Sequence, residues 1–395
     1  MQHNHAFSAA ESLAVEERPE KVSSRKDSAT TKKLEAAPSR PPLPVLTSLR
    51  FFAAAEVLVF HYFRGKISTS TFFWGLTSGG YSAVIFFFIL SGFILTYVYW
   101  RANDEEQAFS ALSFWKARFA RIAPGYYLGI LLSLPIIVYS GLISRTTSIP
   151  DMALGLTLAP MFLQAWSPQV CMLVNPPGWS LSVECFFYAT FPLLLRTLTR
   201  TSYKYLLFTA YCLVIGAVLL RPMGGRPWNT FELYFPLYHL PEFLFGVALG
   251  RLYILRKSTA LNFYAPLFFG SVAGLLLLFG FRSHLPSWTL SNMVLVSLFG
   301  AVILGGAGIS RKGGILAHPL LVLLGEASFA IYILQWPMSF WWIWLSQKQL
   351  HLHLPIVADF ATYSALVTLT SIGSFLYIEK PMRRRILGHT AHKAA

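Results

Sequence analysis

Eight ionisable side chains interrupt the long apolar runs of this 395-residue chain: Arg50, Glu56, His61, Glu184, His239, Glu242, Glu326 and Asp359. Charge inside an apolar segment is costly, so each is a functional candidate by default. Arg50 and His61 stand eleven residues apart in one run. On a helix, eleven steps of about 100° return to within roughly 20° of the starting direction, some 16 Å further along the axis. A stripe with a cation at its mouth and an imidazole at depth suits an anionic ligand entering from the cation's end. Imidazole is poised for general-base work near neutral pH. A hydrogen bond tying two helices together is the other reading of a membrane histidine. Glu56 points about 120° from Arg50 and about 140° from His61 by the same arithmetic, so a neighbouring helix is expected to supply its partner.

Two more clusters carry polar chemistry. Asn175-Pro176-Pro177-Gly178 precedes Trp179-Ser180-Leu181-Ser182-Val183-Glu184. Proline and serine there are ordinary helix-start signals. Glu184 either packs on a polar neighbour or shares a cavity with His61, orienting the imidazole or holding an acceptor hydroxyl. Arg118 and Arg121, read here on a cytoplasmic loop with Lys116 nearby, stand at i and i+3 and share a face. Arginine forks bind phosphate oxygens in pairs, although positive anchors at a membrane face use the same residues. No metal is expected: no two histidines lie at i, i+4 on one span, and no cysteine pair has ligand spacing. Cys171, Cys185 and Cys212 form no disulfide pattern, and Cys185 and Cys212 are expected as buried thiols.

The elements that position these groups follow from composition. The chain is 55% hydrophobic and 12% charged, with a mean hydropathy of +0.53. That predicts an all-α membrane protein, a bundle of about ten transmembrane helices. The apolar runs fall at roughly 46–63, 80–100, 122–143, 179–197, 203–220, 237–255, 260–281, 288–308, 319–345 and 355–378. Segment 151–167 is short and interrupted by Pro160. It is expected to be re-entrant or interfacial on the outer face, because a full span there would put Arg196, Arg200 and Lys204 outside. With ten spans and the N-terminus inside, 17 lysines and arginines of residues 101–393 lie on the cytoplasmic side and 7 of the loop cations outside. Both termini are then cytoplasmic. The net charge of +15 is read as this asymmetry, with no soluble basic face for nucleic acid. Residues 1–42 read as a disordered cytoplasmic tail without a cleaved signal, 43–385 as the transmembrane domain and 386–395 as a short cytoplasmic tail. No internal repeat suggests a transporter built from duplicated halves.

In order along the chain, these clusters resemble the acyltransferase-3 family of bacterial membrane O-acyltransferases. Arg50 and His61 match its arginine–histidine pair on the first helix. Phe86 to Phe93, read Phe-Phe-Phe-Ile-Leu-Ser-Gly-Phe, is similar to its second-helix motif, and Arg118-x-x-Arg121 with Pro124 to its arginine motif. Trp179-Ser-Leu-Ser-Val-Glu184 with Tyr188 and Pro192 is its most recognisable signature. Ser328, Tyr332 and Pro337 match a late-helix motif, and Glu379-Lys380-Pro381 its C-terminal end. One departure stands out: Gln335 occupies a position where many members have histidine, and a carboxamide is no general base near neutral pH.

The resemblance implies an acyl-coenzyme A donor, usually acetyl-CoA, bound from the cytoplasm as a co-substrate, with no resident cofactor. It implies a hydroxyl acceptor on a carbohydrate, glycolipid or small glycoside, and a place in the bacterial inner membrane among its lipids. Arg50, Arg118 and Arg121 would bind the donor. His61 would deprotonate the hydroxyl or carry the acyl group in transit, with Glu184 beside it. Ser182, Tyr188 or Tyr332 would donate to the oxyanion. Trp179, Ser328, Gln335 and Glu379 would support the site. The competing class is a secondary transporter or flippase for a glycolipid, which would use the same polar groups without chemistry.

Overall fold

The structure, a computed structural model, describes residues 40–67, 72–77, 79–100, 109–198, 201–220, 233–256, 261–282 and 289–388. Most of the expected N-terminal tail, Arg101, Arg200, Arg221, Arg226, Lys257 and Lys393 lie outside them. The described residues are helical, with no strand among them. In chain order the helices are α1 (Pro44–Phe63), α2 (Phe72–Thr77), α3 (Gly80–Tyr99), α4 (Ala111–Val138), α5 (Ile149–Leu158), α6 (Trp179–Leu198) and α7 (Tyr203–Leu220). They continue with α8 (Leu240–Leu255), α9 (Leu261–Gly280), α10 (Thr289–Ile309), α11 (Pro319–Ile343), α12 (Ile356–Ser374) and α13 (Lys380–Leu387).

Among the described residues seven helical stretches are long and apolar enough to cross a membrane; they hold α1, α3, α4, α6, α9, α11 and α12, while α7 and α10 contribute shorter apolar stretches, Tyr203–Gly216 and Met293–Ile309. The ten runs expected from the sequence all fall on helices, but α8 has only 16 residues and carries Glu242 and Arg251. Sixteen residues rise about 24 Å, less than a hydrocarbon core of about 30 Å. Segment 151–167 holds most of the ten-residue helix α5, then turns and a 3₁₀ turn at Gln164–Trp166. A helix of that length also falls short of a crossing.

Helix ends follow local chemistry. Pro44 starts α1, and Pro319 starts α11. Ser110 Oγ accepts from Ser113 N at 3.2 Å to cap α4, and Ser148 Oγ does the same for Asp151 N at the head of α5. The Arg118–Arg121 pair sits inside α4, not on a loop as the sequence suggested. The cap at Ser110 starts that helix a full three turns before its apolar stretch, which is why hydropathy alone missed it.

The outside of the bundle is apolar. Leu193, Phe208 and Leu369 are each about two-thirds exposed, the pattern of a lipid-facing surface. Cys212 corrects the expectation of a buried thiol: it is exposed, and Cys185 is half-buried. An apolar run in a membrane has an outer face too, so hydropathy does not imply burial.

Close backbone contact fixes the helix pairs that matter for the site. A Cβ on Gly92 of α3 would meet Phe243 O at 2.1 Å, and one on Gly246 of α8 would meet Ile89 O at 2.0 Å. Small residues at such crossings let the helices touch along their backbones. Likewise a Cβ at Gly325 of α11 would meet Thr47 O of α1 at 2.0 Å. Further along the same pair, the rings of His61 and Trp336 are 6.4 Å apart. Thus α1 and α11 run parallel, with Arg50 near the start of the seam and His61 near its end. Replacing Gly246 with leucine is expected to force α3 and α8 apart and abolish a folded, monodisperse protein on fluorescence-detected size exclusion. Gly270→Ala, where nothing lies within 4 Å of the added carbon, is expected to leave the profile unchanged and the melting temperature equal or slightly higher.

Candidate active site

Between α1, α3, α4, α6 and α11 lies a cavity of about 110 Å³. Arg50 enters it from α1, Ser91 from α3, Arg118 and Arg121 from α4, Glu184 and Tyr188 from α6, and Ser328 and Tyr332 from α11. The rest of its wall is mostly apolar, including Phe87, Phe88 and Leu95.

Glu184 is the carboxylate of this cavity. The Tyr188 hydroxyl, one turn on, donates to Glu184 Oε1, and Ser91 Oγ approaches the same oxygen at 3.4 Å. Tyr188 is buried, so its hydroxyl and the carboxylate form one fixed unit. The Asn-Pro-Pro-Gly turn explains why α6 points this way. Asn175 Nδ2 donates to Ile333 O of α11 at 3.1 Å. Pro177 O accepts from both Ser180 Oγ at 3.0 Å and the Tyr332 hydroxyl at 3.1 Å. The two hydroxyls stand 2.9 Å apart. The head of α6 is therefore pinned to α11, and Glu184 faces the space between them.

None of the arginines of the cavity pairs with a carboxylate of the described residues within 4.0 Å, although Glu326 and Glu184 lie within electrostatic range of Arg50. Among the described residues the one ion pair within 4.0 Å is His239 with Glu242, at 3.8 Å. Arg118 is only 8% exposed, its Nε has no hydrogen-bond partner, and its guanidinium lies over the rings of Tyr99 and Phe114. Burying a cation without a counter-charge is unfavourable unless water or an anion completes it.

His61 stands apart. It does not line this cavity or the one that adjoins it beyond Arg50. Its ring packs by Phe60 and Trp336. Among the described residues His61 Nδ1 and Gln335 Oε1 are buried without a hydrogen-bond partner, while Gln335 Nε2 donates to Tyr332 O at 3.2 Å. Glu184 faces a cavity that His61 does not line, so the two do not share the space the sequence suggested, and Gln335, next to Trp336 on α11, is the polar side chain on that side of the imidazole. The parallel α1–α11 seam makes this the natural neighbour, because Gln335 lies on α11 beside the end of α1.

Other expected residues find structural places. Ser182 is 1% exposed and its Oγ accepts from Ala165 N at 3.3 Å, so it holds segment 151–167 rather than the cavity. Trp179 is buried amid Tyr81, Phe88, Tyr234 and His239. The Tyr332 proton is engaged by Pro177 O or Ser180, and Ser328 Oγ donates to Gly325 O at 2.7 Å. Glu379 lines the adjoining cavity, accepting from Ser374 Oγ at 3.2 Å. Glu56 meets the turn before α3: its Oε1 lies 3.0 Å from where a Cβ on Gly79 would be. Ser91, Ser180 and Asn175 were not singled out individually by the sequence, although each sits within or beside a recognised motif.

The family model of the Acyltransferase domain (acyltransferase 3) matches residues 44–379, and the chain belongs to that family. It is thereby an acyltransferase and a multi-pass membrane protein. It is similar to Acyltransferase MdmB of Streptomyces mycarofaciens, with 30% identity over 318 residues, covering 74% of this chain and 77% of that protein. It also resembles O-acetyltransferase OatA of Staphylococcus aureus, with 22% identity over 380 residues, covering 91% of this chain and 60% of OatA. The chain thus spans about three-fifths of OatA's length. No solved structure matches it significantly.

Removing the Tyr188 hydroxyl leaves Glu184 with the long Ser91 contact alone. Tyr188→Phe is expected to lower acyl-transfer turnover by about tenfold or more, since hydrogen bonds to charged groups contribute about 1.5–3 kcal/mol. Steady-state turnover of purified variant and wild type, at matched folded yield, checks this.

Proposed function

We propose that the protein is a membrane O-acyltransferase that moves an acyl group, acetyl in the simplest case, from acyl-CoA to a hydroxyl of a carbohydrate, glycolipid or glycoside. The observation that carries this reading is the set of carboxylate-free arginines, Arg50, Arg118 and Arg121, around a cavity that also holds Glu184 and Tyr188. A phosphorylated donor supplies the anions these guanidiniums lack. The ten-span topology, with both termini cytoplasmic and the chain in the inner membrane, is part of the same proposal. It puts the starts of α1 and α11 on the cytoplasmic side, in keeping with their parallel course.

In this reading His61 is the base. Its α1 position lies about 16 Å along the axis from Arg50. Phosphates held at the arginines and a thioester delivered to the imidazole therefore require a long, slim arm between them, which acyl-CoA has. His61 takes the proton of the acceptor hydroxyl, the oxygen attacks the thioester carbonyl, and the carbon–sulfur bond breaks to release the CoA thiolate. Gln335, on the facing helix, can hydrogen-bond a reacting group but cannot take its proton. The Glu184–Tyr188 unit supplies a polar wall for the arm or the acceptor hydroxyl. An acyl-histidine relay uses the same residue and differs in whether an acylated enzyme accumulates before acceptor is added.

Purified protein incubated with acetyl-CoA and membrane glycan extract is expected to release free CoA thiol, with the acceptor gaining one acetyl mass. His61→Ala is expected to lower the rate about 100-fold or more. Thiol release at the wild-type rate by that variant contradicts the assignment of His61, and no thiol release by the wild type favours transport without chemistry.

A further inference from the structure

Beyond Arg50 and Arg121 lies a second cavity of about 840 Å³. Its polar wall consists of Arg50, Arg121, Glu326, Lys380, Arg383 and Arg384, with Glu379 at its edge. Arg50, Arg121 and Phe329 line both cavities, so the two abut at those side chains. Three of the cations come from α13, an eight-residue helix with three consecutive arginines.

The placement of α13 is specified by the fold. A π-helical turn, Phe375–Glu379, leads from α12 directly into it. Glu379 in that turn is buried against α4: a Cβ on Gly125 would lie 3.2 Å from its carboxyl carbon. This seats the helix along α4 and turns Arg383 toward the cavity. Arg118, Arg121 and Glu326 are within electrostatic range of Arg383, as Arg50 and Arg121 are of Glu379.

The charge count is lopsided. The second cavity gathers five cations against the carboxylates of Glu326 and Glu379. None of them is in an ion pair within 4.0 Å among the described residues. Cations this close repel one another, and a multivalent anion relieves that repulsion best. Phosphate esters carry such charge and match guanidinium geometry. Shape selects among phosphate sources. A broad chamber rich in cations, abutting a much smaller cavity with aromatic and aliphatic walls, fits a bulky phosphorylated head with a single slim arm. A two-tailed phospholipid offers the head without the arm.

We infer that α13 is a phosphate clamp: Arg383 and Arg384, facing Arg50 and Arg121 across the wide cavity, hold the phosphorylated nucleotide end of the donor while its arm runs into the smaller one. This rests on the acyl-CoA reading above and adds α13 to the donor site. Lys380 contributes charge at the rim.

The test uses the full chain in nanodiscs of phosphatidylcholine, with and without added phosphatidylglycerol. Calorimetry measures binding of CoA, 3′-dephospho-CoA and S-acetylpantetheine to wild type, to Arg383→Ala/Arg384→Ala and to Arg383→Lys/Arg384→Lys. The alanine pair is expected to weaken CoA at least about tenfold, the scale of one lost charge-assisted hydrogen bond. Its effect on 3′-dephospho-CoA should be smaller, and S-acetylpantetheine should not respond. The same pair raises KM for acetyl-CoA far more than it lowers kcat, and the lysine pair restores most of the affinity. Equal CoA affinity in wild type and alanine pair overturns the clamp while leaving acyl transfer standing. So does a loss that appears only in phosphatidylglycerol discs, which makes α13 a lipid-headgroup site. CoA affinity that depends on α13 in a protein that transfers no acyl group keeps the clamp and removes the proposed reaction. A wild type that binds no CoA in either disc removes both.

Discussion

Arginine without a carboxylate partner, held between helices of an apolar bundle, is the constraint on which the rest of the structure depends. Arg50, Arg118 and Arg121 converge on one small space, and Arg118 is almost wholly buried. Such cations are tolerable only where water or an anionic ligand reaches them. The helices that carry them therefore cannot close on each other as the purely apolar pairs do. The adjoining cavities are where that packing stops.

The second organising feature is the parallel seam of α1 and α11. Backbone contact between Thr47 and Gly325 locks the two helices at one end. From there the seam runs past Arg50 and Phe329 to His61, Gln335 and Trp336 at the other. Arg50 and the proposed base His61 thus sit on one rigid element, at a separation set by helical rise. Glu184 is fixed independently, by the pinning of the α6 head to α11 through Asn175, Ser180 and Tyr332. In the proposed reaction the acceptor would meet two separately fixed groups, the Glu184–Tyr188 wall and Gln335 near His61. Glutamine in place of histidine removes a titratable group from the second without removing the hydrogen-bonding capacity.

Much of this was legible in the sequence, and what was not failed for identifiable reasons. The apolar runs all fall on helices because a membrane helix announces itself by length and hydropathy. The number of crossings is harder: α8 is short and carries Glu242 and Arg251, so composition alone does not class it with the seven. The Arg118–Arg121 pair looked like loop because a helix that starts in the polar zone has no apolar signal there. Ser182 looked like one of three candidate oxyanion donors from its place in the Trp179–Glu184 motif, yet its Oγ accepts from Ala165 N, a contact that no linear spacing reveals. The arginines of α13 enter the sequence reading only as cytoplasmic cations. Only the π turn at Phe375–Glu379, invisible in residue types, brings them to the cavity.

The central claim is that the adjoining cavities bordered by Arg50 and Arg121 receive a phosphorylated donor. The most direct measurement is an electron cryomicroscopy map of the full chain in nanodiscs with CoA added. The account predicts density for the phosphates between Arg121 and α13, with the arm passing Arg50 into the smaller cavity. CoA bound elsewhere, or both cavities empty at saturating CoA, would contradict it.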